Sequence, residues 1–389
     1  LVVRKVAVFR EKQGINLLTG HPVTRIDRAA KVVNGTTLEG KPFEAAYDKL
    51  LIASGAAPIL PDMPGIEYPG VMVLKTLADG RHIKQYLNSR TVASAVIIGM
   101  GYIALEMCEA LRALGLEVAM VKPGPRFLPW LKEELAAAVE EEITSNGVGF
   151  HPGHRIARIG NNGDRLQVVC EDLTLEADMV LTATGVFPNS EIAAAAGIEL
   201  GPKKSIAVDR RLLTSDPHVY AAGDCADAYH VVTGQKTWIP LALRANRSGW
   251  AVADNVCGRN VELPGVVGTA VFKIFDLQVA RTGLSREEAV AAGFEAVEVA
   301  IKTRSRAHAH PGASTVHVGM VGDAKTGRLL GAQMVGKEGV AHRINAPAVA
   351  LHAQMTVEQF SQTDLSYAPP FGPTWDPCLT AANQLLKKL

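Results

Sequence analysis

The sequence predicts an α/β protein with two nucleotide sites, and three observations carry that expectation. The apolar run Val96-Ile97-Ile98 leads into Gly99-x-Gly101-x-x-Ala104. This is the pattern of a turn that lays a dinucleotide pyrophosphate on a helix N-terminus. A second apolar stretch, Val219–Ala222, ends in Gly223-Asp224, and two further strands, Leu50–Gly55 and Val180–Gly185, end in Ala-x-Gly. A single glycine fingerprint is weak; four strand-end motifs in this order point to two sites in one chain.

Taken in order, the chain opens on an apolar stretch from Leu1, expected as a strand, followed by Phe9 to Gly14. Two short strands are expected around His21–Arg25 and Lys31–Thr36, with Asn34-Gly35 as a turn signal. Tyr47–Ala53 reads as a buried strand, and Pro58, Pro61, Pro64 and Pro69 mark an irregular crossover. Ile83–Leu87 reads as helical. Val92–Ile98, the helix Tyr102–Leu114 closed by Gly115, and the strand Glu117–Val121 make a βαβ unit. Leu131–Asn146 is a further helix stopped by glycine, and Leu166–Cys170 and Met179–Thr182 are later strands. Pro240–Val256 reads as a long helix and Pro264-Gly265 as a linker. Beyond it, Val266–Ala280, Ala296–Ile301, Thr315–Val321 and Leu329–Val335 are expected as an antiparallel sheet. Helices are expected at Arg281–Gly293, with a Ser285-x-x-Glu288 capping box, at Val340–Gln354 and at Leu379–Leu389.

Composition narrows the function classes. The chain has 389 residues, 48% of them hydrophobic, enough for two or three domains. Its 40 basic and 39 acidic side chains leave no electrostatic footprint for nucleic acid. No apolar run reaches the roughly 18 residues of a membrane span, and the first ten residues lack the apolar block of a secretory signal. The five cysteines are odd in number, widely spaced and without a CxxC. That argues against a disulfide framework or a metal site and for the cytoplasm.

The motifs make chemical demands. Gly99 and Gly101 allow the tight turn and the approach of backbone to phosphate, and Ala104 lets helix and strand pack closely. An acid at the end of the next strand, about twenty residues on, would bond the 2′-OH of NAD; a basic residue suits the 2′-phosphate of NADP. That strand ends in Lys122, with Arg126 four residues later, so NADPH is the expected donor and NADH the alternative. A carboxylate such as Asp224, at a strand end beside a helix start, accepts a hydrogen bond from a sugar-type hydroxyl.

Together, Tyr47-Asp-Lys-Leu-Leu-Ile-Ala-Ser-Gly55, Gly99-Met-Gly-Tyr-Ile-Ala-Leu-Glu106, Ala183-Thr-Gly185 and Ala222-Gly-Asp224 resemble the FAD/NAD(P) pyridine nucleotide–disulfide oxidoreductases. Gly268–Asp276, Ser305-Arg-Ala-His308 with Pro311-Gly312, and Asp364-Leu-Ser-Tyr367-Ala-Pro-Pro-Phe371 resemble the branch that holds coenzyme A-disulfide reductases, NADH oxidases and polysulfide reductases. The resemblance covers essentially the whole chain. It implies two Rossmann-like domains, the FAD domain split around the NAD(P) domain, then a C-terminal α+β dimerisation domain. The implied segments are 1–78 (FAD, first part), 79–189 (NAD(P)), 190–263 (FAD, second part) and 264–389 (interface of a homodimer).

Carried over residue by residue, the resemblance places Ser54, Gly55, Gly223 and Asp224 against FAD, and Pro240, Leu241 and Ala242 at a helix start aimed at the flavin pyrimidine edge. Gly99, Gly101, Tyr102, Ile103, Ala104, Glu106, Lys122, Arg126 and Gly185 are the expected NAD(P) contacts. Tyr102 matches a gate over the flavin, Glu106 a carboxylate near the nicotinamide amide, and Tyr367 a catalytic tyrosine. Arg304, Arg306 and His308 are candidates to hold the phosphates of CoA.

Two departures stand out. The implied first FAD fingerprint and single redox cysteine are not in these 389 residues, so the sequence is expected to start inside the FAD domain, with the redox cysteine outside it. The paired tyrosines usual before Pro-Gly are Ala309 and His310 here. The implied function is NAD(P)H-dependent reduction of a CoA-disulfide, CoA-persulfide or polysulfide through FAD. The alternatives are an oxidase that reduces oxygen, or an NAD(P)-binding dimer without catalysis.

Overall fold

A computed structural model describes residues 5–389. The fold is mixed α/β and divides into two compact units. The first runs up to Ala56 and resumes at Pro188–Ala228 and Lys236–Leu263; the second holds Ala57–Phe187, Tyr229–Gln235 and Pro264–Leu389.

The first unit contains an antiparallel sheet of Val23–Asp27, Val32–Thr36 and Pro42–Ala46, and a parallel pair, Leu50–Ile52 with Val219–Ala221. Its core gathers Ile26, Ile52, Ile198, Ile206, Val219, Ala221 and Val252. The last of these belongs to the helix Ala242–Val256, which packs on the turn after Ala221.

The second unit is built on a five-stranded parallel sheet in the order Val71–Met72, Met179–Thr182, Ser94–Ile98, Glu117–Lys122, Gly149–Pro152. The central strand Ser94–Ile98 is buried at every position, as a parallel strand covered on both faces must be. Asp178 accepts from the backbone N–H groups of Ala93 and Ser94 and fixes the start of that strand. A five-stranded antiparallel sheet follows, in the order Ala270–Ile274, Leu277–Gly283, Leu329–Gly336, Thr315–Asp323, Ala296–Arg304. The two sheets share one apolar cluster, in which Ile97, Leu105 and Met120 meet Phe272, Ile274 and Val335.

Polar staples reinforce that shared core. Buried Gln333 accepts from the Lys132 N–H at 2.8 Å and donates to the Trp130 carbonyl at 2.6 Å. Glu109 accepts from the Phe275 N–H and pairs with Lys273. The Arg281 guanidinium, held by Glu288, lies 4.9 Å over the Trp130 ring.

Several expectations need correction. The first four residues of the opening stretch expected as a strand lie outside the described part, and its end at Val8 belongs to a helical turn, Val8–Lys12. Asn34-Gly35 is not a turn: both residues sit inside a strand, and the reversal falls at Thr37 to Lys41. Glycine is needed there because a Cβ on Gly35 would lie 2.1 Å from the Pro22 carbonyl oxygen. The Tyr47–Ala53 strand shrinks to Leu50–Ile52, and Leu51 is 40% exposed. Val266–Ala280 is two strands joined by a tight reversal at Phe275-Asp276, and the helix expected from Arg281 starts only at Arg286. The capping box that opens it is formed. Val340–Gln354 is broken into Val340–Arg343 and Asn345–His352. The sheet Ile156–Asn162, Arg165–Cys170, Thr174–Ala177 exceeds the single strand expected there. No helix among the described residues is long and apolar enough to cross a membrane.

Buried His230 accepts from the Val232 N–H through Nδ1, and burial lowers its pKa to about 4. The unfolded chain takes up this proton near the ordinary value of 6.5, so stability should fall as pH drops from about 6.5 to about 4. Replacing His230→Asn, which keeps an acceptor, should flatten melting temperature against pH in that window; equal slopes in both proteins would refute the assignment.

Candidate functional site

The strand Ser94–Ile98 delivers the first site. Gly99 follows it with φ +119°, and a Cβ there would lie 2.3 Å from the Ala183 carbonyl oxygen. Only glycine lets the chain turn against the neighbouring strand end at that point. Gly101 then heads the helix Tyr102–Ala113, whose first turn no side chain caps. Gly101 and Ile103 are exposed, while Ala104 is fully buried against the sheet. Uncapped helix N–H groups at the end of a parallel strand form an anion site, so this turn fits a pyrophosphate. Gly185, with φ +117°, accepts from the Ile59 N–H beyond the adjacent strand.

Lys122 ends the strand Glu117–Lys122, and its Nζ donates to the Arg126 carbonyl at 2.8 Å. Burial pulls its pKa below the usual lysine range. The Gly153 and His154 N–H groups both donate to the Lys122 carbonyl, which fixes the strand end. The Arg126 side chain is exposed. Glu106 points to solvent one turn into the helix. Tyr102 packs against Phe272, with ring centroids 4.9 Å apart, and lies edge-on to Trp130 at 6.0 Å. Burial raises its pKa.

The second site lies in the first unit. Gly55 (φ +72°) and Gly223 (φ +80°) both adopt the left-handed conformation at the ends of the paired strands. Asn189 fixes the Ser54-Gly55 turn: its Nδ2 donates to the Ser54 carbonyl and its N–H to the Gly55 carbonyl. The Ser54 hydroxyl donates to the Asn189 carbonyl, so its proton is already engaged within the turn. The helix Ala242–Val256 begins after Pro240 and Leu241, again without a side-chain cap, and Ala242 and Leu243 are exposed. A Cβ on Gly55 would project into open space. Left-handed glycines beside an uncapped helix start fit a second dinucleotide.

The structure adds residues that motif reading missed. The Gly223 N–H donates to Ser248 Oγ, the Trp238 indole donates to the Asp224 carbonyl at 2.8 Å, and buried Arg244 donates to the Gly223 carbonyl at 3.0 Å. An arginine in a helix's first turn, against the helix dipole, was the signal that could have pointed to this.

The expected CoA residues separate. Arg304 is exposed at the end of its strand and His308 is exposed in the turn beyond. Arg306 instead forms a bidentate pair with Glu338, at 2.9 and 2.7 Å, and donates to the Pro311 carbonyl. Its charge is already matched, which weakens it as a phosphate ligand. Tyr367 is 49% exposed. Arg343 reaches across to the Ser305 and Phe371 carbonyls and pairs with Asp376, fixing the segment just before His308 and the segment just after Tyr367.

The five cysteines are unpaired. Burial pushes the Cys108 thiol up to about 12 and raises those of Cys170 and Cys378. Buried Cys225 donates to the Ile52 and Ala222 carbonyls, and Cys257 is exposed at the end of its helix.

Comparison with known proteins agrees with two dinucleotide sites. Residues 3–249 match the pyridine nucleotide-disulphide oxidoreductase family and residues 269–377 match its dimerisation domain. A CoA-dependent NAD(P)H sulfur oxidoreductase of Pyrococcus furiosus is 36% identical, the match covering 97% of this chain and 85% of that one. An NADH oxidase of Methanocaldococcus jannaschii is 32% identical over 98% of this chain and 85% of its own. The solved structure of an NAD-dependent persulfide reductase from A. fulgidus superposes with a TM-score of 0.95 at 36% identity, covering 99% of this chain and 72% of that one.

Gly99→Ala should drive a methyl group into the Ala183 carbonyl and force a strained φ. A loss on the order of 3 kcal/mol in stability is expected, with a tenfold or greater loss in NADP+ affinity. Calorimetric melting and titration check both; wild-type values for both would refute the close-approach argument.

Proposed function

The chain belongs to the pyridine nucleotide-disulphide oxidoreductases, and from that premise we propose that it reduces a CoA-persulfide, CoA-disulfide or polysulfide with NAD(P)H. The overall reaction balances as one disulfide bond, one NAD(P)H and one proton giving two thiols and NAD(P)+. FAD and NAD(P)H, when bound, supply hydride transfer and the delivery of two electrons to sulfur. The observation that carries the reading is the pair of glycine turns, each facing an uncapped helix start, in a chain 36% identical to a CoA-dependent sulfur oxidoreductase.

The chain's own residues then have distinct tasks. The first turn of Tyr102–Ala113 binds the nicotinamide dinucleotide's pyrophosphate, with Ile103 and Ala104 behind it and Glu106 toward the nicotinamide amide. Lys122 and Arg126 read the adenosine ribose and favour a 2′-phosphate. Ser54, Gly55, Gly223 and Asp224 hold FAD, and the helix start at Pro240 to Ala242 offsets negative charge on its reduced form. Arg304 and His308 are left to meet CoA phosphates, with Arg306 shaping their turn through Glu338. The Tyr367 hydroxyl positions or protonates sulfur. The thiol that accepts electrons is none of the five described: Cys108, Cys170 and Cys378 are held as neutral thiols, Cys225 is bonded inward, and Cys257 sits at the far end of its helix.

The dimerisation-domain match and the exposed aromatic residues Tyr367, Phe371 and Trp375 support a homodimer. Five unpaired cysteines support a cytoplasmic location.

The deciding experiment is anaerobic titration of the purified protein with NADPH, followed in the flavin spectrum, then addition of CoA-persulfide or CoA-disulfide. Reoxidation by the sulfur compound is expected. Reoxidation by oxygen alone would establish the oxidase instead. In the same assay Lys122→Ala should lower the NADPH-over-NADH preference in kcat/KM about tenfold, the scale of one charge-assisted hydrogen bond. An unchanged ratio would remove Lys122 from cofactor choice.

A further inference from the structure

Arg244 occupies a position that neither packing nor helix formation favours. It is the third residue of the helix Ala242–Val256 and only 7% exposed. A buried charge is costly without a partner of opposite sign, and the positive end of a helix dipole disfavours cations. Arg244 nevertheless makes no ion pair among the described residues; its two donors go to the carbonyls of Gly223 and Asp227. The nearest buried acid is already engaged. Asp227 accepts from Lys236 at 2.8 Å and from the Val208 N–H at 3.0 Å through Oδ1, while its Oδ2 has no partner. Asp227 is thus shared with Lys236, and the guanidinium is a buried charge hydrogen-bonded to backbone carbonyls alone beneath the Gly223–Asp227 turn.

That turn transmits the charge. The peptide between Gly223 and Asp224 is trans, so a carbonyl drawn onto the guanidinium directs the Asp224 N–H to the opposite side. The guanidinium polarises this peptide in surroundings of low dielectric, where such an effect is strong. Burial lowers the Arg244 pKa from its ordinary value while the fields of Asp227, Cys225 and Asp224 raise it; an arginine stays charged regardless.

We propose that Arg244 tunes the flavin electrostatically: it props the Gly223–Asp224 turn and adds a buried positive charge to the dipole of its own helix, so that the protein prefers anionic reduced FAD over the neutral oxidised form. The inference rests on the reading that this turn and this helix start contact FAD. A neutral amide could also bond backbone carbonyls; only a cation shifts the balance between two flavin charge states.

Two measurements on the full-length protein test it: the flavin midpoint potential by anaerobic spectroelectrochemistry, and the affinity of the flavin-stripped protein for oxidised FAD. Arg244→Gln keeps donors and removes the charge. It should cost about tenfold in preference for the reduced form, a fall of about 30 mV for a two-electron couple, with oxidised-FAD affinity changed less than threefold. Arg244→Lys should hold the potential while weakening oxidised FAD, and Arg247→Gln, exposed in the same helix, should leave the potential unchanged through solvent screening. An unchanged potential with weakened oxidised-FAD affinity in Arg244→Gln would make Arg244 a mere anchor and overturn the proposal. If that variant fails to fold, Arg244→Lys decides alone: a retained potential supports the proposal and a tenfold fall overturns it. Failure of the wild-type protein to bind FAD at all would instead overturn the underlying cofactor reading.

Discussion

Backbone N–H groups in the first turn of a helix have no partner within the helix, and Tyr102–Ala113 and Ala242–Val256 are among the helices here that begin without a side-chain cap. Most helices solve this with Ser, Thr or Asp; other helices of this chain do so at Thr76, Ser285, Thr356 and Asp376. Glu133–Ser145 and the short helices Glu191–Ala195, Val340–Arg343 and Asn345–His352 also start without a side-chain cap, so an open start points to a ligand only where a second feature stands beside it. These two open starts stand beside the end of a parallel strand where a glycine has positive φ: Gly99 leads directly into Tyr102–Ala113, and Gly223 lies in the turn on which Ala242–Val256 packs. Removing the cap and removing the Cβ serve one end: backbone donors that can be approached closely by phosphate or ring oxygen.

The surroundings of these turns are rigid for physical reasons that differ between the two units. In the second unit rigidity comes from apolar packing, with the parallel and antiparallel sheets sharing Ile97, Leu105, Phe272 and Val335, and from amide staples such as Gln333. In the first unit it comes from polar groups turned inward. Arg244, Ser248 and Trp238 satisfy the backbone of the Gly223–Asp224 turn from the side away from solvent, and Asn189 does the same for Gly55. A preformed turn loses little entropy on binding, so more of the contact energy reaches the cofactor.

Much of this was legible in the sequence, and the limits were physical. The glycine fingerprint, the following helix and the strand ending at Lys122 stand where patterning put them, because a βαβ unit ties turn chemistry and periodicity to neighbouring residues. The family resemblance could likewise be read from strand-end motifs. What failed were reversals specified by distant contacts. Asn34-Gly35 looked like a turn, yet the glycine is there for the Pro22 carbonyl; Phe275-Asp276 looked like mid-strand, yet Glu109 from another element fixes the reversal. The pairing of Arg306 with Glu338 was invisible for the same reason, its partner lying 32 residues away, and for Arg244 only its placement against the helix dipole hinted at the carbonyl 21 residues away that it serves.

The core common to the two sheets of the second unit has a consequence for anyone who takes the protein apart. Pro264-Gly265 looks like a place to cut, but Phe272, Ile274 and Val335 beyond it fill the same apolar cluster as Leu105 and Met120 before it. Each half made separately would present a raw hydrophobic face and lose the Gln333 and Glu109 bonds at once. A chimaera that exchanges the parallel-sheet module with that of a relative therefore has to carry the facing strands Ala270–Ile274 and Leu277–Gly283 with it. The exchangeable part is defined by shared packing, and it is larger than the nucleotide fold itself.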